Sequence, residues 1–240
     1  MIALLTDFGA EDVYVGVMKA VIAGIAPGAR VIDLAHGVPP QSIAAGAWWL
    51  AAAWSYLPPG TIVVAVVDPG VGTSRRAIAA QVEGRLLVGP DNGLFSLLPQ
   101  GTVREIDPVH GLPSISATFP GRALFAPAAA RLASGLPFSA VGPLVGDPVR
   151  LTLEPQDDAN GTIVYADRFG NLVTNLPGRS SGSIEFDGRV VPVVRTYGDA
   201  GPGALVALTG SGGRIELSRV GGNAAQAEGG AINAPVRWRP

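Results

Sequence analysis

Two aspartates end apolar, strand-like runs in the first half of the chain: Asp7 in Thr6-Asp7-Phe8-Gly9, and Asp68 in Asp68-Pro69-Gly70-Val71-Gly72, with Arg75-Arg76 shortly after. A third island, Pro90-Asp91-Asn92-Gly93, repeats the pairing of a carboxylate or amide with glycine. Open α/β sheets hold ligands beyond the carboxyl ends of their strands, and glycine lets a ligand approach the backbone closely. Two carboxylates on one sheet edge face one crevice, which suits a small polar molecule. Asn92 read alone favours a left-handed turn; beside the other islands it is a site-loop candidate.

The remaining motifs carry less chemistry. Gly178-Arg179-Ser180-Ser181-Gly182 spells a nucleophile elbow, but that elbow needs a helix after it and here a strand pattern follows. Gly70-Val71-Gly72 and Gly210-Ser211-Gly212-Gly213 neither complete a dinucleotide fingerprint nor open a helix, so they read as tight turns. The two histidines, His36 and His110, lack zinc-site spacing, and no metal is expected.

The elements that must position these residues alternate up to about residue 146. Strand Ile2 to Thr6 is followed by helix Asp12 to Ile25, with Asp12 as N-cap and Val13, Val17, Val21 and Ile25 on one face. Strand Arg30 to Ala35, helix Ser42 to Tyr56 and strand Thr61 to Asp68 continue the series. The run Ile62 to Val67 is the mark of a central strand buried on both faces. Leu86 to Gly89 reads as a strand and Arg122 to Ser134 as a helix closed by Gly135. From Gly161 the texture changes to short runs between turn signals, with Asp187-Gly188 a strong hairpin signal. The fold expected is α/β: an N-terminal mostly parallel sheet covered by helices (residues 1–150) plus a smaller C-terminal antiparallel β-barrel domain (151–240), joined through the polar segment 154–161.

Composition narrows the function class. In 240 residues, 48% apolar content against 15% charged supplies a substantial core. A net charge of −2 with no basic cluster beyond Arg75-Arg76 argues against nucleic acid. The longest apolar stretch, Ile43 to Trp54, is too short for a membrane span, which needs about 20 residues. With zero cysteines and no leader pattern at Met1, the expected location is cytoplasmic.

Taken in order, the motifs Thr6 to Gly9, Asp12 to Gly16, Asp68 to Arg76, Pro90 to Gly93, Thr118 to Pro127, Asp167 to Asn175, Gly210 to Gly212 and Asn223 to Ala225 identify the chain as resembling the S-adenosyl-L-methionine hydrolases that form adenosine. These are also called hydroxide adenosyltransferases and are relatives of the fluorinating and chlorinating enzymes. The resemblance implies a homotrimer with S-adenosylmethionine as substrate, no cofactor, and sites between the N-terminal domain of one subunit and the C-terminal domain of its neighbour. It also implies that Asp7 and Asp12 hold the ribose or its surroundings, and that Gln41, Thr118 and Phe119 line the reacting end. Asp167, Phe169, Asn171 and Ser211 would hold the methionine portion, with Asn223 and Ala224 near adenine.

The implied reaction is attack of water or hydroxide at ribose C5′ with methionine leaving as a neutral thioether. Asp68 and Arg75 match two members of the family's Asp-Arg-His water-activating set. Arg75 beside Asp68 favours the charged carboxylate, which then orients water electrostatically. The third member departs: where the family string is Thr-Phe-His-Gly-Arg-Asp, this chain reads Thr118-Phe119-Pro120-Gly121-Arg122-Ala123. Proline can neither give nor take a proton through its side chain. The expectation is therefore slow hydrolysis, with non-catalytic binding of S-adenosylmethionine or adenosine as the alternative. Halogenation is least favoured, since a charged Asp68 repels halide.

Overall fold

The computed structural model describes residues 1–112 and 119–240. Two compact units divide the chain, Met1–Thr152 and Leu153–Pro240. In the first, β1 (Ile2–Thr6), β2 (Val31–Ala35), β3 (Ile62–Val66), β4 (Ala77–Val82), β5 (Arg85–Pro90) and β6 (Thr102–Glu105) form one sheet in the order β2-β1-β3-β5-β4-β6. The pairings β1–β2, β1–β3 and β3–β5 are parallel, while β4 runs antiparallel to β5 and β6.

Strands β1 and β3 are buried along their whole length, as the continuous apolar runs predict. Ile2, Leu4, Ile62, Val64 and Val66 share a core with α1 (Tyr14–Ile25) and α3 (Ala126–Ala133). The opposite face receives α2 (Ile43–Trp54), whose Gly46 packs so closely that an added Cβ would lie 2.9 Å from both Val67 and Leu94 side chains. Ser42 caps α2 by accepting from the Ala45 N–H at 3.3 Å.

Several expectations are corrected. Helix α1 starts at Tyr14 with Val13 in the cap position and no side-chain capping bond, so Asp12 is not the N-cap; it lies one residue too early to reach the helix's second or third N–H. The buried face of α1 is Val15, Met18 and Ile22, whereas Val13 is exposed. The segment read as one helix over Arg122 to Ser134 is a π-turn at Gly121–Phe125 running into α3, and Gly135 follows α3 with φ +98°. Three strands carry no clear sequence signal: alanine-rich β4, the charged edge strand β6, and β13 (Pro235–Arg239), which opens on proline and interleaves arginine.

The second unit is a nearly closed antiparallel barrel. Its strands β7 (Asn160–Ala166), β8 (Leu172–Pro177), β9 (Ser183–Phe186), β10 (Arg189–Pro192), β11 (Leu205–Thr209), β12 (Arg214–Arg219) and β13 follow the order β10-β9-β13-β7-β8-β12-β11. The Val194 N–H donates to the Ala207 carbonyl at 2.8 Å, drawing the two outer strands together. Asp187 (φ +50°) and Gly188 (φ +69°) make the β9–β10 turn that Asp-Gly predicts. Ile163, Leu172, Leu176, Ile184, Phe186 and Ile215 fill the interior.

Burial shifts two neighbouring groups of the barrel from their ordinary titration. Burial, and then the charge of Asp167, pushes the Glu216 carboxyl up from 4.5 to about 7. Burial, followed by Glu216 and Asp167, pushes the Tyr165 phenol up to about 12. Between 4.5 and about 7 the folded chain keeps a Glu216 proton that the unfolded chain releases, so stability falls as pH rises through that window and is level above it. Thermal melts across pH should show Glu216→Gln melting above the parent at pH 8, with the difference vanishing near pH 4. In the other unit, Leu4→Ala should lower the unfolding free energy by about 2–5 kcal/mol in a denaturant titration, because Leu4 is fully buried.

Candidate functional site

The carboxyl ends of β1 and β3 are neighbours, with Thr6 paired to Val66 and the Asp7 N–H donating to the Val66 carbonyl at 3.4 Å. Asp7 and Asp68 thus stand beyond adjacent strands on the same edge. They line one cavity of about 150 Å³ together with Val66, Val71, the aromatic residues Phe8, Tyr14 and Phe119, and Pro120 and Gly121. The three rings meet edge to face, with centroids 5.9 Å (Phe8–Tyr14), 5.8 Å (Phe8–Phe119) and 5.1 Å (Tyr14–Phe119) apart. Gly121 lets the chain sit against them, since a Cβ there would lie 3.0 Å from Phe119 and 3.3 Å from Phe8.

Asp68 is clamped by Arg75. The Arg75 Nε–H donates to Oδ1 at 2.7 Å and Nη2 donates to Oδ2, a bidentate fork, while Nη1 reaches the Arg76 carbonyl at 3.2 Å. The Asp68 side chain is only 2% exposed, and the guanidinium carbon of Arg75 lies 5.4 Å from the Phe125 ring centroid, over the ring. Arg76 points elsewhere and donates to Asp91 and Asp147. The hydrogen bond to Arg76 is the first cause holding the Asp147 carboxyl below its ordinary value. Asn92 donates to the Val67 carbonyl at 2.8 Å and accepts from the Leu94 N–H at 3.2 Å, which fixes the backbone just before Asp68.

Asp7 Oδ2 accepts from the Gln41 N–H at 2.8 Å, and Gln41 is held at φ +64°, so residue 41 is brought to the strand edge by its backbone. Asp12 is exposed and does not line the cavity. Thr118 lies outside the described residues. Neither histidine lines the cavity. The His36 ring has Nδ1 at 2.9 Å from the Thr6 hydroxyl and Nε2 at 2.9 Å from Asp33 Oδ1, the latter without hydrogen-bond alignment. His110 Nε2 is 2.9 Å from the Ala140 carbonyl. Among the described residues no cluster of three metal-ligating side chains occurs.

The candidates in the second unit fall into two groups: the β7–β8 loop and Asn223 lie together where β8 begins at Leu172, while Ser211 lies in the β11–β12 turn, beside the Pro177 end of β8. Asp167 organises the β7–β8 loop: Oδ1 accepts from the N–H of Phe169 at 2.9 Å and of Asn171 at 2.8 Å, and Oδ2 accepts from Asn171 Nδ2 at 2.8 Å. Asn171 Nδ2 also donates to the Tyr197 hydroxyl at 3.3 Å. The Phe169 ring is left 79% exposed. Gly170 (φ +84°) packs directly on Asn223, where a Cβ would overlap the amide, and its carbonyl accepts from the Ala225 N–H at 2.8 Å. Asn223 caps α4 (Ala224–Ala227) by accepting from the Gln226 N–H at 2.7 Å. Ser211 is exposed in the β11–β12 turn next to Gly210, whose backbone abuts the Glu216 carboxylate. Sequence reasoning does not single out Glu216, Tyr197, Phe8 or Tyr14. The one signal for any of them is that Phe8 and Tyr14 fall inside the first two motifs.

Known proteins resemble the chain along both units. Residues 2–142 match the SAM hydroxide adenosyltransferase N-terminal domain and residues 161–237 the C-terminal domain. The chain is 47% identical to an (R)-S-adenosyl-L-methionine hydrolase of Thermus thermophilus, over 97% of each chain. It is 43% identical to one of Salinispora arenicola, over 93% of this chain and 92% of that one. The crystal structure of an uncharacterized conserved protein from Thermotoga maritima superposes with a TM-score of 0.89 at 31% identity, covering 100% of both. With both halves matched in order, and with relatives of this identity along nearly its full length, the chain belongs to the SAM hydroxide adenosyltransferase family.

Proposed function

We propose that this protein hydrolyses S-adenosyl-L-methionine to adenosine and L-methionine. The observation that carries the reading is the Asp68 carboxylate, gripped by Arg75 and facing a cavity it shares with Asp7 on the next strand. Water attacks ribose C5′, the C–S bonding pair stays on sulfur, and methionine departs as a neutral thioether. No acid is needed to release such a leaving group, so the site's task is to place a water in line with the C–S bond and accept its proton. Each Asp68 oxygen takes one bond from Arg75 and retains a further lone pair for that water.

In this reading Asp7 and Asp12 serve the ribose side, with Gln41, Thr118, Phe119 and Asn92 around the reacting end, directly or through the backbone. Asp167, Phe169, Asn171 and Ser211 take the methionine portion, and Asn223 and Ala224 lie near adenine. A cavity of about 150 Å³ is smaller than the 300 Å³ or more usual for a small-ligand site. That size fits a site completed by the barrel end of a neighbouring subunit in a homotrimer. The substrate itself supplies all the reactive chemistry, so no cofactor is called for. No helix among the described residues is long and apolar enough to cross a membrane, and we place the protein in the cytoplasm.

Pro120 supports a second reading, binding of S-adenosylmethionine without turnover, because it lines the cavity and offers no proton-carrying side chain. Chromatography of S-adenosylmethionine incubated with the protein separates the two. Adenosine should accumulate above a boiled control, and Asp68→Ala should slow it by about 100-fold or more; binding by calorimetry with no adenosine would select the second reading. Pro120→His should raise the rate. Ala123 is fully buried, so an aspartate there would bring a charge into the core, and Pro120→His alone is the cleaner probe.

A further inference from the structure

Resting on the hydrolase reading, we propose that the Tyr14 hydroxyl is the hydrogen-bond donor that holds the attacking water against Asp68. Among the described residues the cavity presents three polar side chains, Asp7, Asp68 and Tyr14. The two carboxylates, when charged, only accept hydrogen bonds. A water bound by acceptors alone directs both hydrogens at them and is free to pivot about its oxygen. A donor to that oxygen removes the freedom and leaves the second lone pair to point at carbon. Among the described lining residues, Tyr14 is the one side chain that can supply such a donor, and Pro120 cannot.

The placement of the ring supports the assignment. Tyr14 is set by edge contacts to Phe119 at 5.1 Å and Phe8 at 5.9 Å, so the phenol is oriented by the same aromatic wall that borders Pro120. No described residue hydrogen-bonds its hydroxyl, and the residue is 44% exposed. The ring is thus fixed while its polar tip is left for a ligand or solvent. The step balances: the water oxygen forms the C5′–O bond, the C–S pair goes to sulfur, and one water proton passes to Asp68 and on to solvent. Tyr14 keeps its own proton throughout.

Tyr14→Phe keeps the ring wall and removes only the donor. Adenosine formation should fall at least 10-fold in kcat, while the calorimetric Kd for S-adenosylmethionine and the melting temperature stay within error of the parent. Pro120→His should relieve the dependence, so that Tyr14→Phe costs less than 3-fold when placed on that background. Wild-type kcat in Tyr14→Phe overturns the inference and leaves the hydrolase reading standing, as does a loss of affinity and stability in step with rate, which marks a packing role. The same fold-loss on both backgrounds overturns it too, since the histidine and the phenol would then not serve one water. No adenosine from the unaltered protein removes the hydrolase reading and this inference together.

Discussion

The fork between Arg75 and Asp68 is the constraint on which the rest of the N-terminal unit turns. A carboxylate at 2% exposure is tolerated only with a partner of matched geometry, because an unpaired charge at that depth costs far more than a surface ion pair returns. Two parallel N–H···O bonds supply the match and also set the direction of the carboxylate's remaining lone pairs. The surroundings hold the pair in place. Phe125 packs on the guanidinium, Asn92 pins the Val67 carbonyl, and Gly46 lets α2 press on Val67 itself. The core of the sheet therefore serves the site by fixing one strand end.

The adjacent arginines show how the same residue type is put to different use by its neighbours. Arg75 clamps Asp68; Arg76 ties Asp91 and the 147 region together. Replacing Arg75 by lysine would keep the charge and lose the fork, so the lone-pair directions of Asp68 would no longer be defined. In the barrel a comparable economy appears at Asp167, whose two oxygens satisfy a loop that leaves the Phe169 ring outside.

Much of this arrangement is legible in the amino-acid sequence. The strand end at Thr6 follows from an apolar run stopping at turn residues, the third strand ends at Val66 rather than the Asp68 expected, and the shared edge of Asp7 and Asp68 follows from parallel pairing. The hairpin at Asp187-Gly188 is readable from its turn chemistry alone. Less is visible where one physical effect overrides another. Ala77–Val82 carries helix-favouring alanines but is drawn into the sheet by pairing on both sides. The burial of Val15 rather than Val13 depends on where α1 docks, which periodicity constrains only loosely. The half-buried carboxylate of Glu216 and the aromatic wall of Phe8, Tyr14 and Phe119 depend on contacts between segments far apart in the chain, and no local pattern announces them.

The contact between Gly170 and Asn223 carries a consequence for how this barrel can change over evolutionary time. Position 170 has no room for even a methyl group so long as the amide of residue 223 fills the space, and its left-handed backbone independently penalises any side chain. Two loops remote in the chain are thereby locked into joint drift. A mutation that reshapes one of them survives only if the other already tolerates it, so this end of the barrel changes by paired steps.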